Sequence, residues 1–251
     1  MISKVVFVIQ ARSGSTRLPK KVLRDFYEGK TILDIILTKM IEHFGKESIV
    51  LATSVAIEDN AIEVIGTNYG VRVFRGSESN VLSRFLGAAK QFDINRIVRV
   101  CADNPFLSME FLRILVDSAV ERDADYVSFK MSNGRPTILS HIGLFAEYVS
   151  RDCLEKVSDS TQESVFLEHV TNYVYSRPQD FNVVLLDLPD YVSNENNIRL
   201  TCDTQEDFEL LQEIYRTLKG EEIEVSELLH KIKANQYWID QMKMEINKNK
   251  K

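Results

Sequence analysis

Residues 5–23 read VVFVIQARSGSTRLPKKVL. The opening run, Val5 to Ile9, is apolar on both alternating faces, which predicts a short strand covered on each side. The polar stretch from Gln10 to Leu23 leaves that strand, and apolar residues at i, i+3, i+4 spacing then predict a helix over Ile32 to Phe44. The same unit recurs. Ile49 to Ala52, Val71 to Phe74, Ile97 to Val100 and Tyr126 to Phe129 read as strands, with helices over Asp59 to Tyr69, Val81 to Phe92 and Met109 to Glu121. Each gap is long enough for the crossover that parallel strands require, so the expected fold is α/β, a doubly wound and mostly parallel sheet.

From about 130 to 192 the rhythm breaks. SNGRPT from Ser132 reads as a loop, Ile142 to Phe145 as a strand, Ser164 to Tyr175 as a helix and Val183 to Leu186 as another strand. This predicts an inserted subdomain of antiparallel character within a single domain spanning 1–251. Ile198 to Thr201 restores the parallel pattern and a helix from about Thr204 to Leu218 follows, with Thr204 or Asp203 available as its cap. Residues from Ile223 onward read as helical, with a frayed tail over 245–251.

The chain has 251 residues, 44% hydrophobic and 27% charged, and 31 Lys and Arg against 37 Asp and Glu. That balance disfavours bulk nucleic-acid binding, so any anion site must be local. No apolar run approaches a membrane span and no signal-peptide core opens the sequence, so a soluble, cytoplasmic protein is expected. Cys101, Cys153 and Cys202 lack metal or disulfide spacing, and the four histidines are equally scattered.

In such sheets ligands bind beyond the carboxyl ends of the strands. The loop after the first strand places Arg12, Arg17, Lys20 and Lys21 around the small residues Ser13, Gly14, Ser15 and Thr16, a composition suited to a polyphosphate. A solvated basic loop would have the same composition, but Pro19 stiffens this one and it stands at the strand end. Neither G-x-x-x-x-G-K-[ST] nor G-x-G-x-x-G is present. Asp103 and Asp203 each follow another strand. Taken singly, Asp103 could serve a turn ahead of Pro105, and Asp203 could cap a helix. Taken with a polyphosphate, the two could hold Mg²⁺, which favours one or two carboxylates plus phosphate oxygens.

These segments resemble the cytidylyltransferases of CMP-sugar synthesis. QARSGSTRLPKKVL from Gln10 is similar to the A-R-x-x-S-T-R-L-P-x-K motif of the 3-deoxy-manno-octulosonate enzymes, and more closely to the spore-coat polysaccharide type; the chain is also similar to the acylneuraminate enzymes. RGSESNVLSRF from Arg75, RVCADNPFL from Arg99, EHVTNYVY from Glu168 and IRLTCDTQEDF from Ile198 extend the likeness to about residue 215. The resemblance implies a Rossmann-like fold of the nucleotide-diphospho-sugar transferase type. It implies CTP and a small sugar as substrates, Mg²⁺ on Asp103 and Asp203, and catalysis by Arg12, Lys21 and Asp103. Gln10, Ala11, Arg12, Ser13, Gly14, Ser15, Thr16, Arg17, Lys21, Arg75 and Ser77 would bind the nucleotide, with Arg84 a weaker match.

HIGLFAE from His141 is similar to a stretch near the sugar pocket, so Arg135, His141, Glu168 and His169 are candidate sugar contacts. An acidic sugar is the favoured acceptor, and Arg135, Arg151, Arg177 or His141 could meet its charge. The inserted region implies a homodimer contact. The departures are Asn80 where spore-coat chains carry Asp, Ala102-Asp103-Asn104-Pro105 for Gly-Asp-Cys-Pro, and Lys20 for a frequent Gly. The expected reaction is transfer of CMP with release of pyrophosphate. The competing readings are a transferase for another nucleotide or a sugar phosphate, whose usual L-A-G-G-x-G-x-R-like opening is absent, and a non-catalytic nucleotide-binding relative.

Overall fold

A computed structural model describes residues 5–249. The strands in chain order are β1 (Val5–Gln10), β2 (Asp25–Tyr27), β3 (Lys30–Thr31), β4 (Ile49–Ser54), β5 (Arg72–Gly76), β6 (Arg96–Cys101), β7 (Tyr126–Lys130), β8 (Glu147–Ser150) and β9 (Val183–Asp187). The helices are α1 (Ile32–Phe44), α2 (Asn60–Asn68), α3 (Val81–Gln91), α4 (Met109–Glu121), α5 (Arg151–Ser160), α6 (Ser164–Glu168), α7 (Asn172–Tyr175), α8 (Asp190–Ser193), α9 (Gln205–Thr217), α10 (Val225–Ala234) and α11 (Gln236–Lys248).

Seven strands form one sheet in the order β5-β4-β1-β6-β8-β7-β9, parallel except for β8, while β2 and β3 make a separate hairpin. The doubly wound, mostly parallel fold expected from the sequence is the observed one. Helices cover both faces, so β1 is buried from Val5 through Ile9 with its side chains divided between two cores. Local signals set the helix starts. Thr31 and Asp34 form a reciprocal capping box on α1, Asn80 caps α3 through the Ser83 N–H at 2.8 Å, and Thr204 with Asp207 caps α9.

Four expectations need correction. The strand in 130–192 is Glu147–Ser150 rather than Ile142 to Phe145, and it slots between β6 and β7 of the main sheet instead of building a separate sheet. Its partners are distant in sequence, so no local pattern marks it. Residues 198–201 are extended but make no ladder. The Leu200 and Thr201 N–H groups reach the His141 carbonyl at 2.9 and 3.3 Å, and the Cys202 N–H reaches the Asp103 carbonyl at 3.1 Å. The helix expected over 164–175 is two short pieces, α6 and α7. The tail expected to fray is ordered helix through Lys248, with Glu245 only 4% exposed; residues 250 and 251 lie outside those described.

Candidate active site

A pocket of about 400 Å³ opens at the carboxyl ends of β1 and β6. The loop after β1 supplies its cationic wall. That loop curls on itself, because the Ser13 carbonyl accepts the N–H groups of both Ser15 and Lys20 at 2.9 Å. Asp59, 1% exposed, holds its base by accepting the Ser13 N–H at 2.7 Å and hydroxyl at 2.6 Å, and the Ser54 N–H at 3.2 Å and hydroxyl at 2.5 Å. Burial alone would raise the Asp59 pKa, but these four donors together pull it below the ordinary value. Lys20 takes a left-handed backbone, φ +58°, to turn the chain toward Lys21.

Lys21 is the centre of the charged arrangement. It is 8% exposed, and its Nζ donates to Asp103 Oδ2 at 2.7 Å and to the Cys202 carbonyl at 2.6 Å, with Asp203 Oδ1 at 3.5 Å. Burial would lower the Lys21 pKa, but the two carboxylates outweigh it and the net shift is upward, so the ammonium stays charged. Arg17 closes the same group from outside, with Nη2 at 3.2 Å from Asp203 Oδ1. Arg12 donates to Glu168 Oε1 at 2.9 Å and to the Glu78 carbonyl at 3.2 Å.

Arg84 adds a cation deep in the wall. It is 1% exposed, its Nη1 donates to the Ser77 carbonyl at 2.7 Å, and burial together with nearby Arg12 lowers its pKa to about 10. Two guanidiniums lining one pocket, with Glu168 on Arg12 and with Asp59 and Glu78 near Arg84, suit an anionic ligand. Three buried polar atoms on residues that line the pocket, Arg84 Nε, Asn104 Oδ1 and Thr201 Oγ1, have no hydrogen-bond partner among the described residues. Buried polar groups of that kind are normally satisfied, so a ligand with both donors and acceptors fits here.

The floor is a buried ion pair. Arg99 Nη1 donates to Glu147 Oε2 at 2.6 Å and its Nε to Gln10 Oε1 at 3.2 Å, while Glu147 also accepts from Tyr126 and Thr171. Burial pushes the pocket-lining Cys101 thiol up, which leaves no thiolate nucleophile there.

Of the residues expected from the sequence, Gln10, Ala11, Arg12, Ser15, Thr16, Arg17, Lys21, Asp103, Asp203, Glu168 and His169 do line this pocket. Ser13 and Gly14 do not; Ser13 is engaged by Asp59, and Gly14 packs beside Glu78, whose Oε1 would stand 2.5 Å from a Cβ there. Arg75 faces away, donating to Ser54, Ala56, Asn60 and Glu63, and the Ser77 hydroxyl accepts the Asn80 N–H. Arg135 and His141 line a different cavity, where Arg199 Nη1 meets His141 Nδ1 at 2.5 Å. Arg151 pairs with Glu155, and Arg177 stacks on Tyr173 and Phe166.

The sequence reading missed Arg99, Glu147, Asp59 and Arg199. A charged residue inside an apolar run read as a strand was a signal for Arg99 and Arg199. Glu147 and Asp59 gave none, because their partners lie in other elements. Gly143, at φ +65°, lets its loop pass so close to Leu200 that a Cβ would stand 2.7 Å from that backbone.

A family model described as cytidylyltransferase matches residues 6–242. The chain belongs to the cytidylyltransferase family. It is 37% identical over 232 residues to an uncharacterized protein of Methanocaldococcus jannaschii, covering 92% of this chain and 91% of that one. It is 32% identical over 241 residues to the spore coat polysaccharide biosynthesis protein SpsF of Bacillus subtilis, covering 93% and 96%. Among solved structures, a cytidylyltransferase from Leptospira borgpetersenii superposes with a TM-score of 0.84 at 30% identity, over 94% of this chain and 97% of that one. As a cytidylyltransferase, the protein is a nucleotidyltransferase related to CMP-sugar synthetases. No helix among the described residues is long and apolar enough to cross a membrane.

Proposed function

We propose that the pocket binds CTP with Mg²⁺ and transfers the cytidylyl group to a sugar, with release of pyrophosphate. The observation that carries this reading is the single ammonium of Lys21 set between Asp103 and Asp203, with Arg12 and Arg17 from the same loop beside it. Among the described residues no group of three or more His, Cys, Asp or Glu could hold a metal unaided. Two carboxylates completed by phosphate oxygens nevertheless make the hard-oxygen donor set that suits Mg²⁺. Asp103 and Asp203 would hold the ion, which supplies charge neutralisation at the α-phosphate.

The chain's own part is positioning and electrostatics. Arg12, Arg17 and Lys21 would bind the β- and γ-phosphates and stabilise charge on the departing pyrophosphate. A sugar oxygen bonds to the α-phosphorus as the bond to the α–β bridging oxygen breaks; that electron pair leaves with pyrophosphate, and the sugar's proton passes to solvent. An acidic acceptor would find its cation among the pocket's own arginines, because Arg135, Arg151, Arg177 and His141 are engaged outside the pocket.

The test is pyrophosphate release with Mg²⁺ and each of CTP, UTP, GTP and ATP, against pools of acidic and neutral sugars. Release with CTP alone is expected. Equal release with all four nucleotides would overturn the cytidine assignment, and neither release nor thermal stabilisation by CTP would overturn the reading as a whole.

A further inference from the structure

The last turn of α11 reaches the rim of the pocket from the far end of the chain. Arg17, which the cationic loop offers to an anion, is held at both nitrogens of its guanidinium tip. Nη2 lies against Asp203, and Nη1 donates to Asn249 Oδ1 at 3.1 Å. The Asn249 carboxamide has one orientation available. Its Nδ2 donates to the Glu245 carbonyl at 3.0 Å and to Glu245 Oε2 at 3.3 Å, which leaves the oxygen facing Arg17.

Glu245 is in turn tied to the aspartate loop. It is 4% exposed and accepts the hydroxyl of Thr204, the residue after Asp203, at 3.2 Å. The contacts close a ring that runs Arg17, Asp203, Thr204, Glu245, Asn249 and back to Arg17. Met242, fully buried one turn earlier, packs the helix against Arg199. The carboxyl end of a helix also carries negative partial charge, which favours a cation at this position.

We propose that the end of α11 belongs to the anion-binding apparatus, with Asn249 as a positioning residue that holds Arg17 at the pocket rim when Asp203 turns to a metal. Without that second hold, Arg17 would be tethered only by the carboxylate it must release. This inference rests on the phosphate-binding part of the proposed function, but not on cytidine or on turnover.

The experiment measures affinity for inorganic pyrophosphate and tripolyphosphate by calorimetry, on the full chain with Mg²⁺. Asn249→Ala is expected to weaken binding roughly two- to tenfold, the range of one ordinary hydrogen bond, since the Arg17 side chain is half exposed. Gln236→Ala, which removes a neutral contact to Asp240 at the opposite end of α11, should leave affinity unchanged. In an Arg17→Ala background, Asn249→Ala should have no further effect, since a residue that acts only through Arg17 has nothing left to position.

Wild-type affinity in Asn249→Ala, equal losses in Asn249→Ala and Gln236→Ala, or a full additional loss in the Arg17→Ala background would each overturn the proposal. Failure of the wild type to bind either anion would overturn it together with the phosphate site. Anion binding with the expected pattern but no CTP-dependent pyrophosphate release would sustain it while removing the proposed reaction.

Discussion

The loop after β1 and the segment 198–203 bring charge to the same pocket by opposite means. The loop is local at its base: its turns close between residues a few positions apart and Asp59 anchors them, while its cationic side chains reach partners in other elements. The segment has no ladder and no turn of its own. It is held by Arg199, 2% exposed, which donates to both Asp207 oxygens at 2.6 Å and to Asp203 Oδ2 at 3.3 Å, by the close passage of Gly143, and by α11 behind it. A cationic wall can thus be encoded in one stretch of sequence, whereas its acidic counterpart depends on long-range partners.

That contrast is broken most severely at Arg199. Arg199→Met should cost about 3–5 kcal/mol, because it strands the buried Asp207 carboxylate without its cation. Urea unfolding measures this, and a loss near zero would mean the segment is held locally after all. At Lys21, where the two walls meet, Lys21→Met should lower turnover about 10²- to 10³-fold, the scale of a lost electrostatic contact to a departing charge. Steady-state rates compared with melting curves separate this from unfolding; parallel losses would reduce Lys21 to a structural ion-pair partner.

Asp59 tests how far the turns of the loop depend on the anchor at their base. Asp59→Ala should cost roughly 1–3 kcal/mol through the unpaired Ser13 and Ser54 donors. The sign with pH follows from its lowered pKa. The stabilisation is fully present above the unfolded aspartate value near 4, and it is lost as pH falls through the lower folded value. Wild type and variant should therefore converge in acid, and a gap that widens below pH 4 would contradict the assignment. The smallest effect belongs to Lys20→Gly. Relief of the left-handed backbone should raise stability by at most about 1 kcal/mol, visible as a small upward shift in melting temperature.

The legibility of the chain follows the same division. The parallel strands β1, β4, β5 and β6 were readable with ends within two residues, because each is a short run rich in β-branched residues followed by a crossover helix of different period. Glu147–Ser150 was not, since an antiparallel strand between β6 and β7 is specified by the groove it fills. The apolar positions of 198–201 signalled burial, and burial without pairing looks the same in sequence as a strand. Arg75 looked like a nucleotide contact from its motif, yet its donors are taken by Ser54, Ala56, Asn60 and Glu63, which no spacing reveals.

The sequence by itself determined the doubly wound sheet, the cationic loop at the end of its first strand and Asp103 beyond β6, because these depend on local period and on position relative to strand ends; Asp203 reaches the same pocket from a segment that makes no ladder. Only the tertiary structure decided which cations remain available, how Arg99 and Glu147 build the floor, and that the C-terminal helix reaches Arg17. Those outcomes depend on pairings between side chains far apart in the chain, where charge compensation and burial are settled by packing.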